Sequence, residues 1–245
     1  MLKIKNETST SAELYIYGTI IDDEDADWLK VWNEDPDGYQ FPKELRRQLE
    51  GLSGKNLTLY INSYGGSIPA GVAMANMIKR HNGKTLAIVD GYCCSIATQI
   101  FFSADECKMP ANSWLMIHKP WSSATGDANF MRKTAEVLDA LQSGLEDTYR
   151  LKVKGNMSYN EIHEMVENET WLTGTEAAEK FEIELLESQK SLNCVGNMEK
   201  LKAIAKKIPP SLNFVLEEKI TPPRQTDWSE IEIALARAKG AVVFC

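Results

Sequence analysis

The sequence predicts an α/β fold of repeated βαβ turns, and three observations point to it. Strand-like and helix-like runs alternate through the first half of the chain. Two of the strands run into turns of small residues that then open a helix, Ile61-Asn-Ser-Tyr-Gly-Gly-Ser-Ile68 and Gly91-Tyr-Cys-Cys-Ser-Ile-Ala97. A long amphipathic stretch follows, from about residue 128 to 153. Alternation of this kind favours parallel strands joined by right-handed crossovers.

In chain order, Leu14-Tyr-Ile-Tyr-Gly18 reads as the first strand, stopped by its glycine. The acidic run Asp22 to Asp27 comes next, then a helix-prone segment from Trp28 to Leu52 broken at Pro36-Asp-Gly38. Asn56 to Ile61 is the second strand. Pro69 opens a helix reaching Arg80, since a first-turn N–H has no helical partner and its loss there costs nothing. Asn82-Gly83 is a turn, Thr85 to Asp90 a third strand, and the apolar run from Ser95 to Phe102 a buried helix. Short strands are expected at Lys108–Met109 and Trp114–Ile117.

Met131, Ala135, Leu138, Leu141, Leu145 and Tyr149 recur at spacings of three and four, the period of one helical face. Two capping boxes follow, Ser158-Tyr-Asn-Glu161 and Thr173-Gly-Thr-Glu176, the second opening a helix at Ala177. Beyond about residue 188 the chain turns basic and then proline-interrupted, at Pro209-Pro210 and Pro222-Pro223. Residues 1–187 are therefore taken as one domain and 188–245 as a C-terminal appendage.

A net charge of −8 speaks against nucleic-acid binding, which leaves a basic footprint. No apolar run approaches the roughly 20 residues of a membrane span, and the N-terminus lacks a signal-peptide core. A cytoplasmic protein without membrane association is expected. Five cysteines, Cys93, Cys94, Cys107, Cys194 and Cys245, contain no CxxC pair, so neither a metal site nor a disulfide framework is indicated. Cys93 and Cys94 read as small buried thiols.

The parts needed for acyl transfer are present: a nucleophile, a base and donors for an oxyanion. Ser95 lies among small residues ahead of an apolar helix. The Gly65-Gly66 turn lets backbone N–H groups approach a carbonyl because no Cβ intervenes. His118 ends the apolar run from Trp114, whereas His81 and His163 sit on polar helical turns. Taken alone, Ser95 is equally well read as a cap and His118 as a structural residue. A third group should orient the imidazole, and spacing does not choose among Asp127, Glu136, Glu167 and Glu169.

Four segments resemble those of the Clp protease proteolytic subunit, ClpP. Leu59-Tyr-Ile-Asn-Ser-Tyr-Gly-Gly-Ser-Ile-Pro-Ala-Gly71 resembles its Asn-Ser-Pro-Gly-Gly segment, and Gly91 to Ala97 its nucleophile segment. Trp114-Leu-Met-Ile-His-Lys-Pro120 resembles Met-Ile-His-Gln-Pro, and Glu169-Thr-Trp-Leu-Thr-Gly-Thr-Glu-Ala177 resembles its Asp-x-Phe segment. All four stand in the family's order, between about residues 13 and 187. The resemblance implies a ClpP/crotonase-like fold, Ser95 as nucleophile, His118 as general base, and the Gly66 and Ile96 N–H groups as oxyanion hole. It places Glu169 where the family has aspartate, and it implies no cofactor and no metal.

The stretch from Ala128 to Val153 takes the place of the family's handle helix, which stacks two heptameric rings, so a ring-forming homo-oligomer acting on protein or peptide substrates is implied. Tyr64 replaces the family's proline. The short stretch before the first strand leaves no room for the family's axial loops, so docking of a Clp ATPase is not carried over. The Tyr-Ile-Tyr-Gly strand, the Glu-Thr-Trp variant and the tail are most similar to a phage and prophage branch of head-maturation proteases. Three rival readings remain: an acyl-CoA hydratase or isomerase of the same superfold, a Ser–Lys peptidase using Lys119, and a degenerate scaffold of capsid assembly.

Overall fold

The computed structural model describes residues 3–31, 38–186 and 243–244. The division at residue 187, the appendage's basic helical pattern and Cys194 lie outside the described residues.

Eleven strands and seven helices occur among the described residues. They are β1 (Lys3–Lys5), β2 (Ser11–Ile20), α1 (Asp23–Val31), β3 (Tyr39–Gln40), α2 (Pro42–Glu50), β4 (Asn56–Gly66), α3 (Ile68–Lys79), β5 (Thr85–Cys94) and α4 (Ala97–Phe102). There follow β6 (Glu106–Pro110), β7 (Trp114–Ile117), β8 (Trp121–Ser122), α5 (Ala128–Leu151), α6 (Tyr159–Glu167), β9 (Thr170–Thr173), α7 (Gly174–Lys180), β10 (Glu184–Leu186) and β11 (Val243–Phe244).

The central sheet runs β1-β2-β4-β5-β6-β10, with β3 against β2, and with β7 between β5 and β9. Its β2, β4, β5, β6 and β10 ladder is parallel, as the alternation predicts. Among the described strands, only β1 and β9 join the sheet antiparallel. Leu14, Ile16, Leu59, Ile61, Ala87 and Val89 point to one face and are buried. Against them lie Met74 and Ile78 of α3 and Ile100 and Phe101 of α4, all in one continuous core. Each of these Leu, Ile, Val, Met and Phe side chains contributes about 1.5–3 kcal/mol when fully buried.

Several boundaries differ from the sequence reading, each for a local reason. The strand expected to stop at Ile61 runs on to Gly66, because β2 continues beside it with Thr19 opposite Gly65 and Ile20 opposite Gly66. The third strand likewise passes Asp90 to reach Cys94, extended by its pairing with β7. The acidic run, given no element in the sequence reading, starts a helix: Asp23, Glu24 and Asp25 form the first turn of α1, where carboxylates favour the positive end of the helix dipole. The helix expected at Ser95 begins two residues later, at Ala97. The second capping box opens its helix at Gly174 rather than Ala177, with Thr173 as the cap. Strands β1, β3, β8, β9, β10 and β11 are not anticipated by the sequence reading, β3 falling inside the segment read as helix-prone; each is four residues or fewer, too short to show a period.

The two halves of α5 differ. Gln142, Leu145, Glu146 and Tyr149 are buried, whereas Phe130, Met131 and Val137 are each more than 40% exposed. The apolar stripe of this helix therefore continues past the body it packs on. No described helix is long and apolar enough to cross a membrane.

Candidate active site

Two strand registers bring Ser95 and His118 together. Strands β5 and β7 run parallel with Cys93 opposite Leu115 and Cys94 opposite Met116. The chain leaves β5 at Ser95 and β7 at His118, so both emerge at the same edge. The Ser95 N–H donates to the Met116 carbonyl at 2.8 Å, which extends the ladder one residue past the strand. His118 Nε2 lies 3.0 Å from Ser95 Oγ. With the other ring nitrogen protonated, Nε2 accepts the hydroxyl proton, the geometry a serine needs for activation.

Ser95 is held in an uncommon conformation. Its φ is +56°, in the left-handed region that costs a non-glycine residue about 1–2 kcal/mol. Its carbonyl accepts from the Thr98 N–H at 3.0 Å and from Thr98 Oγ1 at 2.6 Å. The Tyr149 hydroxyl, reaching in from α5, lies 2.7 Å from that same Oγ1. Thr98 and Tyr149 were missed from the sequence. A threonine three residues past a candidate nucleophile was the visible sign, but its partner is 51 positions away.

The glycine turn packs directly on the serine. A Cβ on Gly65 would fall 2.8 Å from Ser95 Cβ and 3.2 Å from Oγ, and one on Gly66 would fall 2.0 Å from the Ile20 carbonyl oxygen. Both have positive φ, +100° and +145°. Buried Ser63 holds the turn, donating to the Gly18 carbonyl at 2.6 Å and accepting from the Gly65 N–H at 3.1 Å. Tyr64, between them, is 62% exposed and stacks on Tyr92 with ring centroids 4.7 Å apart.

Burial pushes the His118 imidazole below its ordinary value, and the nearby charge of Glu169 partly opposes that shift. The Glu169 carboxylate makes no hydrogen bond to His118: its Oε1 accepts from Trp171 Nε1 at 3.2 Å, two residues on. The other acidic candidates are engaged elsewhere. Asp127 caps α5 through the N–H groups of Asn129 and Phe130. Glu136 pairs with Lys133, and Glu167 with Lys119 at 2.7 Å. That pairing also turns the Lys119 ammonium toward Glu167, away from the role a Ser–Lys peptidase needs. His81 contacts the Lys55 carbonyl, and His163 the buried Glu146.

The neighbouring thiols are not reactive. Burial pushes Cys94 and Cys107 up to about 12 and Cys93 well above its usual range, so all three stay protonated at neutral pH. Among the described residues no cluster of histidine, cysteine and carboxylate is arranged to hold a metal ion.

Comparison with known proteins bears on the family and the fold. The family profile described as "Clp protease" matches residues 44–181. The ATP-dependent Clp protease proteolytic subunit of Bacteroides fragilis is 27% identical over 128 residues, spanning 51% of this chain and 61% of that protein. The chain thus spans less than two-thirds of the length of that relative. The subunit of the same name from Streptococcus pneumoniae is 30% identical over 145 residues, spanning 58% of this chain and 73% of that protein. Among solved structures, a ClpP1 point mutant from Listeria monocytogenes superposes with a TM-score of 0.55 at 23% identity, covering 72% of this chain and 92% of that one. At that identity the superposition speaks to the fold, which is ClpP-like.

Proposed function

The chain belongs to the Clp protease family, and from that premise we propose that it is a serine endopeptidase acting through an acyl-enzyme on Ser95. The observation that carries this reading is the 3.0 Å approach of His118 Nε2 to Ser95 Oγ. As a peptide carbonyl is attacked, the hydroxyl proton passes to His118, and the imidazolium then protonates the leaving amine. Water repeats the sequence in reverse to free the acid. Negative charge develops on the carbonyl oxygen beside the N–H groups of Gly66 and Ile96, the oxyanion hole of this proposal. Glu169 supplies the negative charge that favours the imidazolium, acting across space or through a hydrogen bond formed once it leaves Trp171.

A homo-oligomeric ring completes the reading. Its support is the exposed apolar half of α5 at Phe130, Met131 and Val137, where a second copy or ring would remove that surface from water. Membership of the head-maturation branch, with capsid or portal protein as substrate, rests on the sequence features alone, the Tyr-Ile-Tyr-Gly strand and the Glu-Thr-Trp segment.

Labelling by a fluorophosphonate probe with the modified residue mapped by mass spectrometry tests the assignment. Modification of Ser95, abolished in His118→Ala, is expected. An unlabelled Ser95 in folded protein would favour the hydratase or scaffold readings. Native mass spectrometry of the same sample counts the subunits, and a monomer at all concentrations would remove the ring.

A further inference from the structure

Helices α5 and α6 meet around a cavity of about 310 Å³, lined by Asp139, Gln142 and Glu146 of α5 and by Tyr159, His163 and Glu167 of α6. Ligand sites run from about 300 to 1,000 Å³ and are mostly apolar. This one is small and acidic, with three carboxylates and no cationisable side chain but His163. Glu146 is 1% exposed. Its Oε1 accepts from Gln142 Nε2 at 2.8 Å and lies 2.9 Å from His163 Nδ1. Its Oε2 is buried without a hydrogen-bond partner, and among the described residues it is the one charged atom so placed. Interaction with Glu146 holds the Tyr159 phenol above its ordinary value, so that hydroxyl stands near the carboxylate without closing a bond to Oε2. Since Gln142, His163 and Tyr159 all line the cavity, the Glu146 carboxylate is turned into it. A buried charged oxygen with no donor is costly, and such an atom in a native fold calls for a partner.

We propose that the α5–α6 cavity is a binding site for a guanidinium group, with Glu146 Oε2 as its deep acceptor. The sign of the ligand follows from the charges. Glu167 is already paired with Lys119 at 2.7 Å, so Glu146 and Asp139 carry the charge still to be met. His163 serves Oε1 in either protonation state. The shape of the ligand follows from the rings. Tyr159 and His163 stand within 18° of parallel, with centroids 6.2 Å apart. A guanidinium lies flat on such aromatic faces while its fork of N–H groups meets a carboxylate edge, which a compact ammonium does not match. A metal ion suits the site less, since no three histidines, cysteines or carboxylates among the described residues are grouped to hold one. The guanidinium arrives on a free small molecule or on an arginine of a second copy, and the contacts are the same.

The test titrates the full chain with butylguanidine and with pentylamine, two cations on similar tails, by calorimetry at low salt, where screening is weak. Butylguanidine should bind at least about tenfold more tightly, the worth of one charge-assisted hydrogen bond. Glu146→Gln, which keeps the shape and removes the charge, should weaken it about tenfold. Tyr159→Ala should weaken it about threefold by removing one aromatic face. Tyr159 is exposed, so this variant keeps its fold and gives a reading even if Glu146→Gln does not. Absence of saturable butylguanidine binding overturns the site. Equal affinity for the two cations, or full affinity in both variants, overturns the guanidinium assignment. Native mass spectrometry with and without butylguanidine separates the sources: a fall in subunit count marks an arginine of a second copy, an unchanged count a free guanidino compound. None of these measurements needs turnover, so their outcome is independent of Ser95 labelling.

Discussion

Ser95 and Glu169 both hold a left-handed backbone, at φ +56° and +47°, and both fall in segments that resemble catalytic motifs. Ser95 is 3% exposed, its N–H and carbonyl are both hydrogen-bonded, and Gly65 presses on its Cβ. Glu169 is exposed; its N–H donates to the Val166 carbonyl at 3.3 Å and its carboxylate accepts from Trp171, two residues on. One residue is fixed by the packing of three strands and two helices. The other is fixed by its own short loop. Strain persists where the surroundings overdetermine it, so the proposed nucleophile is built into the core of the fold and the proposed third acid is left adjustable at its rim.

The largest expected effect breaks the strongly held side. Ser95→Ala should lower kcat by at least about 10⁴-fold, the scale seen when a nucleophile of this kind is removed, with thermal stability little changed, because alanine keeps the Cβ and with it the same left-handed strain. Parent-level turnover by the variant, measured on a fluorogenic peptide after contaminants are excluded, would remove Ser95 from the mechanism. Next, Gly65→Ala puts a methyl 2.8 Å from Ser95 Cβ and 2.9 Å from the Cys94 carbonyl oxygen, at a backbone φ of +100°. A loss of about 10²-fold in kcat/KM is expected, with a lowered Tm; normal kinetics would mean that the turn does not brace the serine.

Glu169→Gln attacks the adjustable side and should cost less, about tenfold in kcat/KM, because only a charge acting across space is removed. Its pH profile is the sharper readout. The base must be neutral to accept a proton, so activity is present above the His118 pKa and lost as pH falls through it. Burial lowers that pKa, which places the acidic limb below the ordinary imidazole value of about 6.5. The Glu169 charge raises it, so Glu169→Gln should move the limb to still lower pH; an unmoved limb would deny any influence of Glu169 on His118. The smallest effect is expected from Trp171→Phe, which frees the carboxylate to turn toward the imidazole. A change of about twofold to threefold in kcat/KM, the worth of one modest hydrogen bond, is anticipated, and it should vanish when combined with Glu169→Gln.

Local sequence carried the parallel strands, the paired glycines and the capping boxes, because hydrophobic period, positive φ and cap chemistry are written in adjacent residues. It also set Ser95 and His118 apart from the other serines and histidines by their small or apolar neighbours. The short strands escaped notice. Tyr149 escaped as a support for the nucleophile, and so did the choice among four acids. Each of these depends on partners dozens of positions away or on the direction of one side chain.

By itself, then, the sequence determined which elements form and which residues could be reactive, since those properties arise within a few residues of chain. Tertiary structure alone decided that β5 and β7 lie in a register delivering Ser95 to His118, and that Glu169 bonds Trp171 instead of the imidazole. Registers and side-chain directions come from long-range packing, where a shift of one residue reverses every face, and no local pattern records that outcome.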